Sequence, residues 1–209
     1  PGSLYRVFVR LGYRKKTEST KKKSKHLGHY DTPKELGKKW QMDVKHVPKA
    51  CYVGSDGEKF YQYTMIDEAS RERFIYAYKE SSSYSTVDFV KRAFIYFGYG
   101  PEIIQTDNGG EFTHTQKTKR THPLDVLCNQ LHIQHKTIRP RTPWHNGKVE
   151  RSHRNDQERF YNHLSFYSYE DLQLQMKRYL RRSNQIPMAT LGWKSPIEKR
   201  KEIESARFC

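Results

Sequence analysis

From Lys38 to Lys45 the chain alternates, with Trp40, Met42 and Val44 on one side and Gln41, Asp43 and Lys45 on the other. This is the period-two pattern of a strand with one face in the core, and it sets Asp43 on the opposite face. Residues 59–66 and 72–79 are rich in Tyr, Phe and Ile and flank Asp67-Glu68-Ala69-Ser70-Arg71. They predict two more strands joined as an antiparallel hairpin. Val87, Val90, Phe94 and Phe97 then recur at helical spacing, behind a capping-box pair of Ser85 and Asp88 and ahead of Gly98, Gly100 and Pro101. A helix is predicted between those signals.

Ile103 and Ile104 form a short apolar run that stops at Thr106-Asp107-Asn108-Gly109-Gly110, which places Asp107 at the end of a fourth strand. A polar, Lys- and Thr-rich stretch over 113–121 follows, then a short helix over 123–131 and a fifth strand over 133–138. Pro140 and Pro143 punctuate a loop. From Gly147 the chain is free of Gly and Pro through Phe166, predicting a long helix that carries Glu150 in its first turns. A last helix runs from Tyr169 to Ser183 with Ser168 as its cap. The fold class is therefore α/β: a mixed five-stranded sheet, three antiparallel strands followed by strands linked through helices, flanked by helices. That order is the order of the ribonuclease H-like fold.

At the N-terminal end Leu4, Val7, Phe8 and Leu11 have helical spacing before Gly12, and the first residues are Pro1-Gly2-Ser3, so the sequence reads as a piece that starts within a helix. Arg14, Lys15, Lys16, Lys21, Lys22, Lys23 and Lys25 then crowd into a basic linker. Three regions follow: 1–37, whose Ser3 to Gly12 is similar to the last helix of a helix-turn-helix module, with the basic linker behind it; 38–186, the ribonuclease H-like core; and 187–209, a C-terminal tail.

Composition narrows the partners. The 209 residues carry a formal net charge of +16, which favours densely anionic partners, nucleic acid before an anionic membrane. Aromatic residues make up 13%, more ring surface than disordered chains carry. No stretch is apolar and long enough for a membrane span or signal peptide, so the expected location is cytoplasmic, on the nucleoid. Cys51, Cys128 and Cys209 are too dispersed for a disulfide framework, and His26 and His29 lack the second pair a zinc site needs.

A basic chain of this class suggests phosphodiester chemistry. Transfer at phosphorus is promoted by two divalent ions about 3.5–4 Å apart, which stabilise the attacking and leaving oxygens together. Mg²⁺ takes carboxylate, water and phosphate oxygens, so the site needs about three acidic side chains converging from separate elements. Asp43 in mid-strand, Asp107 at a strand end and Glu150 in a helix are the candidates. Left unpaired they repel one another; a dication keeps them ionised.

Three segments make this specific: Trp40-Gln41-Met42-Asp43, Thr106-Asp107-Asn108-Gly109-Gly110-Glu111-Phe112, and Pro143-Trp144-His145-Asn146-Gly147-Lys148-Val149-Glu150-Arg151. In this order they resemble the D, D, E motif of insertion-sequence transposases and retroviral integrases, and Leu191-Gly192-Trp193-Lys194-Ser195-Pro196 is similar to the closing segment of such transposases. The resemblance spans about 38–202. It implies a metal-dependent polynucleotidyl transferase that cleaves and joins DNA, with Asp43, Asp107 and Glu150 as both catalytic residues and metal ligands. The cofactor is Mg²⁺, or Mn²⁺ as a substitute, with two ions per site when DNA is bound and no organic cofactor. The partners are transposon ends and target DNA, engaged by a homo-oligomer. Lys148, Arg151, Arg154, Trp144 and Asn146 are the implied DNA contacts, and Glu111 is a neighbour without a catalytic role. Forty-two residues separate Asp107 from Glu150, more than is usual in the family, and an insertion near 113–122 would account for the excess. Two other readings remain open: a ribonuclease H-like nuclease that only hydrolyses, and an inactive DNA-binding relic.

Overall fold

The computed structural model describes residues 7–13, 32–54, 57–114, 116, 118, 120–138 and 146–206. The basic linker, His26, His29, Trp144, His145 and Cys209 lie outside these residues. Residues 1–31 and 32–209 form two compact units. In the first, Val7 to Arg10 is helical and Leu11 N donates to Val7 O at 2.9 Å. Gly12, at φ 75°, ends the turn as the spacing predicted.

The second unit holds five strands, β1 (Trp40–His46), β2 (Tyr61–Asp67), β3 (Arg73–Tyr78), β4 (Ile103–Thr106) and β5 (Gln134–Thr137), in the order β3-β2-β1-β4-β5. β1, β2 and β3 pair antiparallel, while β4 pairs parallel with both β1 and β5. Five helices accompany them: α1 (Ser83–Phe97), α2 (Pro123–Gln130), α3 (Gly147–Arg159), α4 (Tyr169–Ser183) and α5 (Pro196–Ser205). This is the mixed α/β sheet that the pattern predicted.

Each face of the sheet has its own core. Trp40, Met42, Tyr63 and Met65 pack with Phe89, Val90, Ala93 and Phe97 of α1 and with Leu124 and Cys128 of α2. Ile75 and Ala77, pointing the other way from β3, pack with Phe160, Tyr161, Leu164 and Phe166 and with Leu172, Met176 and Leu180 of α4. The hairpin turn between β2 and β3 is tied by the buried Asp67 carboxylate, which accepts from Gly37 N, Trp40 Nε1, Ala69 N, Ser70 N and Ser70 Oγ at 2.8–3.1 Å. An anion with that many donors is well satisfied in an interior.

Several elements differ from the sequence reading. α1 starts earlier: its cap is Ser82, whose hydroxyl accepts from Ser85 N, and Ser85 lies inside the helix. Its buried face is Phe89, Val90, Ala93 and Phe97, with Val87 and Phe94 only partly buried. α3 stops at Arg159 instead of running on to Phe166. The chain turns there because Phe160, Tyr161, Leu164 and Phe166 are drawn into the second core, so tertiary packing ends the helix without Gly or Pro. The 187–206 segment is more than a tail: α5 has a full capping box, Ser195 with Glu198, and Arg200 ties it to Glu72 at 3.1 Å and to Phe97 O at 2.8 Å. α4 matches the prediction at both ends, including the Ser168 cap.

Candidate active site

The polar side of β1 is where Asp43, Asp107 and Glu150 come within electrostatic reach of one another. β1 and β4 run parallel with Trp40 opposite Ile104 and Gln41 opposite Gln105. Continued along both strands, that register sets Asp43 level with Asp107, and adjacent strands lie about 4.8 Å apart. Asp107 sits where β4 ends, in a turn closed by Gly109 N, which donates to Asp107 Oδ1 at 2.9 Å. The strand end is itself pinned. Thr106 Oγ1 lies 3.0 Å from His135 Nε2, His135 Nδ1 lies 2.6 Å from Asp125 Oδ1, and Asn108 Nδ2 donates to Ile138 O at 2.9 Å.

α3 brings the third carboxylate. The non-apolar face of β1 is not open, as the alternation alone suggests; α3 covers it, and the helix's own buried face is largely polar: Val149, Ser152 and Asp156. The first helical N–H groups lack intrahelical partners. The preceding Asn146 makes no capping bond with its side chain. Instead Gln41 Oε1, from β1, accepts from Lys148 N and Val149 N, each at 3.2 Å. Its amide nitrogen donates to Glu68 Oε1 at 2.8 Å, and the buried Glu68 also ion-pairs with Lys39 and Lys148.

One turn along, His153 sits between two strands. Its Nδ1 is 3.3 Å from Asp43 Oδ2, and its Nε2 is 3.0 Å from Thr64 Oγ1. Thr64 Oγ1 accepts from Gln62 Nε2 at 2.9 Å, and the same amide donates to Asp156 Oδ2 at 2.7 Å. Asp156 is fully buried and pairs with the buried Arg73 at 2.6 Å. A continuous polar chain thus runs from Arg73 in the interior to Asp43 at the surface. Glu150 is on the same side of α3, three residues before His153 and four before Arg154, where helical side chains are neighbours.

The electrostatics agree with this placement. Burial, and then the charge of Asp43, hold the Asp107 carboxyl above the usual range, against the Gly109 N–H. Glu150 is also raised, first by lost solvation and then by Asp43, with His153 and Arg154 opposing. Glu111 joins the group: burial raises it, and Asp107 and Asp43 raise it further. The motif alone marks it only as a neighbour. Asp107, Glu111 and Glu150 are thus raised by acidic neighbours, a donor set whose repulsion a dication would relieve and whose hard oxygens suit magnesium. Among the described residues no group of three or more acidic, histidine or cysteine side chains is placed closely enough to hold a metal ion.

The residues expected to touch DNA divide. Arg151 and Arg154 are exposed on α3. Lys148 is engaged by Glu68, and burial lowers its ammonium to about 8. Asn146 is 1% exposed and reaches inward to Met42 O at 3.5 Å. Trp144 falls outside the described residues. Of the other tryptophans, Trp40 is core, as its alternation predicted, and Trp193 is 74% exposed. An apolar groove of about 500 Å³ between β3, α1 and α4, lined by Phe74, Ile95 and Leu174 among others, contains none of the carboxylates.

Comparison with known proteins fits this arrangement. The integrase core domain family matches residues 33–143, and a second family of the same description matches residues 131–196. The chain belongs to the integrase core domain family. The ORF3 protein of Spiroplasma virus SpV1-C74, which carries an integrase name, is 36% identical over 133 residues, 58% of this chain and 35% of that protein. The chain therefore spans about a third of the length of that relative. Among solved structures, the HTLV-2 integrase catalytic core in complex with magnesium superposes with a TM-score of 0.57 at 20% identity, covering 78% of this chain and 96% of that one. The catalytic core of BIV integrase gives 0.60 at 20%, covering 83% and 99%. At that identity the two structures establish the fold, which is ribonuclease H-like. Within this integrase core domain, the matched segments include Asp43, Asp107 and Glu150.

Proposed function

We propose that this integrase core domain is a polynucleotidyl transferase that cleaves a DNA strand and joins the freed 3′ hydroxyl to target DNA, with Asp43, Asp107 and Glu150 as its catalytic carboxylates. The observation that carries the reading is the register of β1 on β4, which levels Asp43 with Asp107, with Glu150 on α3 within electrostatic reach of both. A hydrolysis-only nuclease and an inactive relic are the alternatives that the experiment below separates from this reading.

The three carboxylates would hold Mg²⁺ or Mn²⁺, two ions when DNA is bound, and such ions activate the attacking oxygen and stabilise the leaving one. The HTLV-2 core is described in complex with magnesium, which supports the choice of metal. What the chain itself supplies is position. Gly109 orients Asp107, His153 orients Asp43, and Gln41 fixes the start of the helix bearing Glu150. Mg²⁺ bound by carboxylates in such sites also keeps water and substrate phosphate as ligands. Arg151 and Arg154 are assigned to the DNA backbone, whereas Lys148 and Asn146 act on the fold of the helix start. We assign the partners as DNA ends and target DNA held by a homo-oligomer, in keeping with the HTLV-2 core described in a trimeric form. Among the described residues no helix is long and apolar enough to cross a membrane.

The test is metal-dependent nicking and strand transfer on labelled DNA carrying the element's ends. Wild type should yield nicked strands and joined products longer than either substrate strand, and Asp107→Asn should abolish both. Nicking without joining would favour the hydrolase; equal activity in wild type and mutant would overturn the catalytic assignment.

A further inference from the structure

Away from the carboxylates, the C-terminal end of α3 and one face of α4 enclose a cleft of about 390 Å³ lined by Arg159, Arg178 and Arg182 above Phe160 and Tyr179. The three guanidinium groups belong to exposed residues. Among the described residues none of them lies within ion-pair distance of a carboxylate, unlike Arg73, Arg92 and Arg200, which are paired with Asp156, Asp88, and Glu72 and Glu204. One carboxylate, Asp171, does line the cleft. Its oxygens are held at its own helix start, accepting from Tyr167 N at 3.1 Å and Gln175 Nε2 at 3.0 Å; its charge offsets one guanidinium of the three and leaves the lining cationic.

The floor is rigid. Phe160 and Tyr179 stack with centroids 4.5 Å apart and planes 6° from parallel, and Tyr179 Oη donates to the buried Asp156 at 2.9 Å. Arg178 and Arg182 stand one turn apart on α4, facing Arg159 across the cleft. Concentrated arginine outside ion-pair distance of a carboxylate, on a fixed platform, is the chemistry that binds phosphate, through planar paired N–H donors.

The cleft also continues a line on α3. Arg151, Asn155 and Arg159 recur every four residues on one stripe, while the adjacent stripe reads Glu150, Arg154, Glu158. From Arg151 to Arg159 is about 12 Å along a helix, the axial rise of three to four nucleotides in one strand.

We infer that Arg159, Arg178 and Arg182 form a second DNA-backbone contact, reached from the carboxylates along the Arg151 stripe of α3. The inference rests on the proposed function only for the choice of DNA as the partner. The cleft holds a phosphate run of the duplex on which the domain acts and reads no base.

Fluorescence anisotropy with a labelled random-sequence duplex, in EDTA and across a sodium chloride series, tests this without any cleavage. Arg178→Gln/Arg182→Gln removes two phosphate-neutralising charges. It should lower the steepness of the log–log salt dependence by about 0.9 for each phosphate no longer neutralised, or about 2 in all. Arg178→Lys/Arg182→Lys should keep most of the slope, which separates charge from folding. Arg159→Gln, from the other wall, should lower it by about 1. An unchanged slope in all three variants overturns the inference, as does a slope that holds while the oligomeric state in gel filtration changes, since the cleft would then face protein. A slope change in a protein that never cleaves DNA would leave the cleft standing and refute the proposed function; normal strand transfer with no slope change would do the reverse.

Discussion

The side-chain oxygen of Gln41 accepts the backbone N–H of Lys148 at 3.2 Å, across more than a hundred residues of chain. Gln41 is two residues before Asp43, and Lys148 two before Glu150, so one hydrogen bond couples the strand of the first carboxylate to the helix of the third. Gln41→Ala should therefore act twice. Leaving two N–H groups and part of Glu68 without a partner should cost about 1–3 kcal/mol in urea unfolding. Strand transfer should fall further than that loss of folded protein explains when assayed well below the unfolding midpoint. Activity that tracks only the folded fraction would reduce Gln41 to a structural role.

The Arg73–Asp156 pair is buried at both ends. Removing one partner strands the other charge, at about 3–5 kcal/mol, whereas replacing both with apolar residues of similar size is often tolerated. Asp156→Ala should accordingly unfold at much lower urea than wild type, and Arg73→Met/Asp156→Leu should recover most of the difference. Equal losses in the single and double variants would show that the surrounding hydrogen bonds, from Gln62 and Tyr179, matter more than the charge.

Crowded carboxylates give a binding readout that needs no DNA. Millimolar Mg²⁺ should raise the melting temperature of wild type at neutral pH by a few degrees, each kcal/mol of differential binding being worth about 2–4 °C in a chain of this size. Asp43→Asn should flatten that response. A response equal in both proteins would place the ion elsewhere.

Cys51 and Cys128 are buried, and burial pushes the Cys128 thiol up to about 12. At pH 8.5 such a thiol is ionised to well under about one part in a thousand, so alkylation in a Cys209→Ser background should wait for unfolding. Iodoacetamide labelling followed by mass spectrometry would show it, and labelling as fast as in urea would contradict it. Linkage has the matching sign. The folded state holds this proton more tightly than the unfolded one, so its stabilising contribution is complete below the unfolded thiol value and is lost as pH rises towards about 12.

Local pattern carried much of the fold. The alternation around Trp40 and Met42 found β1 and its core side, the apolar runs found the hairpin, and Ser168 with the periodicity behind it found both ends of α4. What failed was set by contacts distant in sequence. α3 lost its last turns to a core built with β3 and α4, and the cap of α1 is Ser82, whose backbone N–H and C=O both bond the Tyr63 hydroxyl of β2. α5 went unseen although Ser195 and Glu198 spell a capping box, because Ile197 and Ile203 are too few to mark an apolar face. The roles of Gln41, His153 and Asp156 could not be read locally, since each has its partner some hundred residues away.

The parallel pairing of β1 with β4 has a consequence for the chain while it is still incomplete. Its carboxylates arrive from residues 43, 107 and 150, and Asp43 meets Asp107 only once a crossover has closed, with Glu150 added later by a helix that has almost no apolar face of its own. A nascent chain that has made just its hairpin carries one of the three, and a proteolytic fragment ending before Gly147 carries two. On the proposed reading, partly folded or clipped molecules lack the full set of carboxylates, and only the finished fold can break DNA.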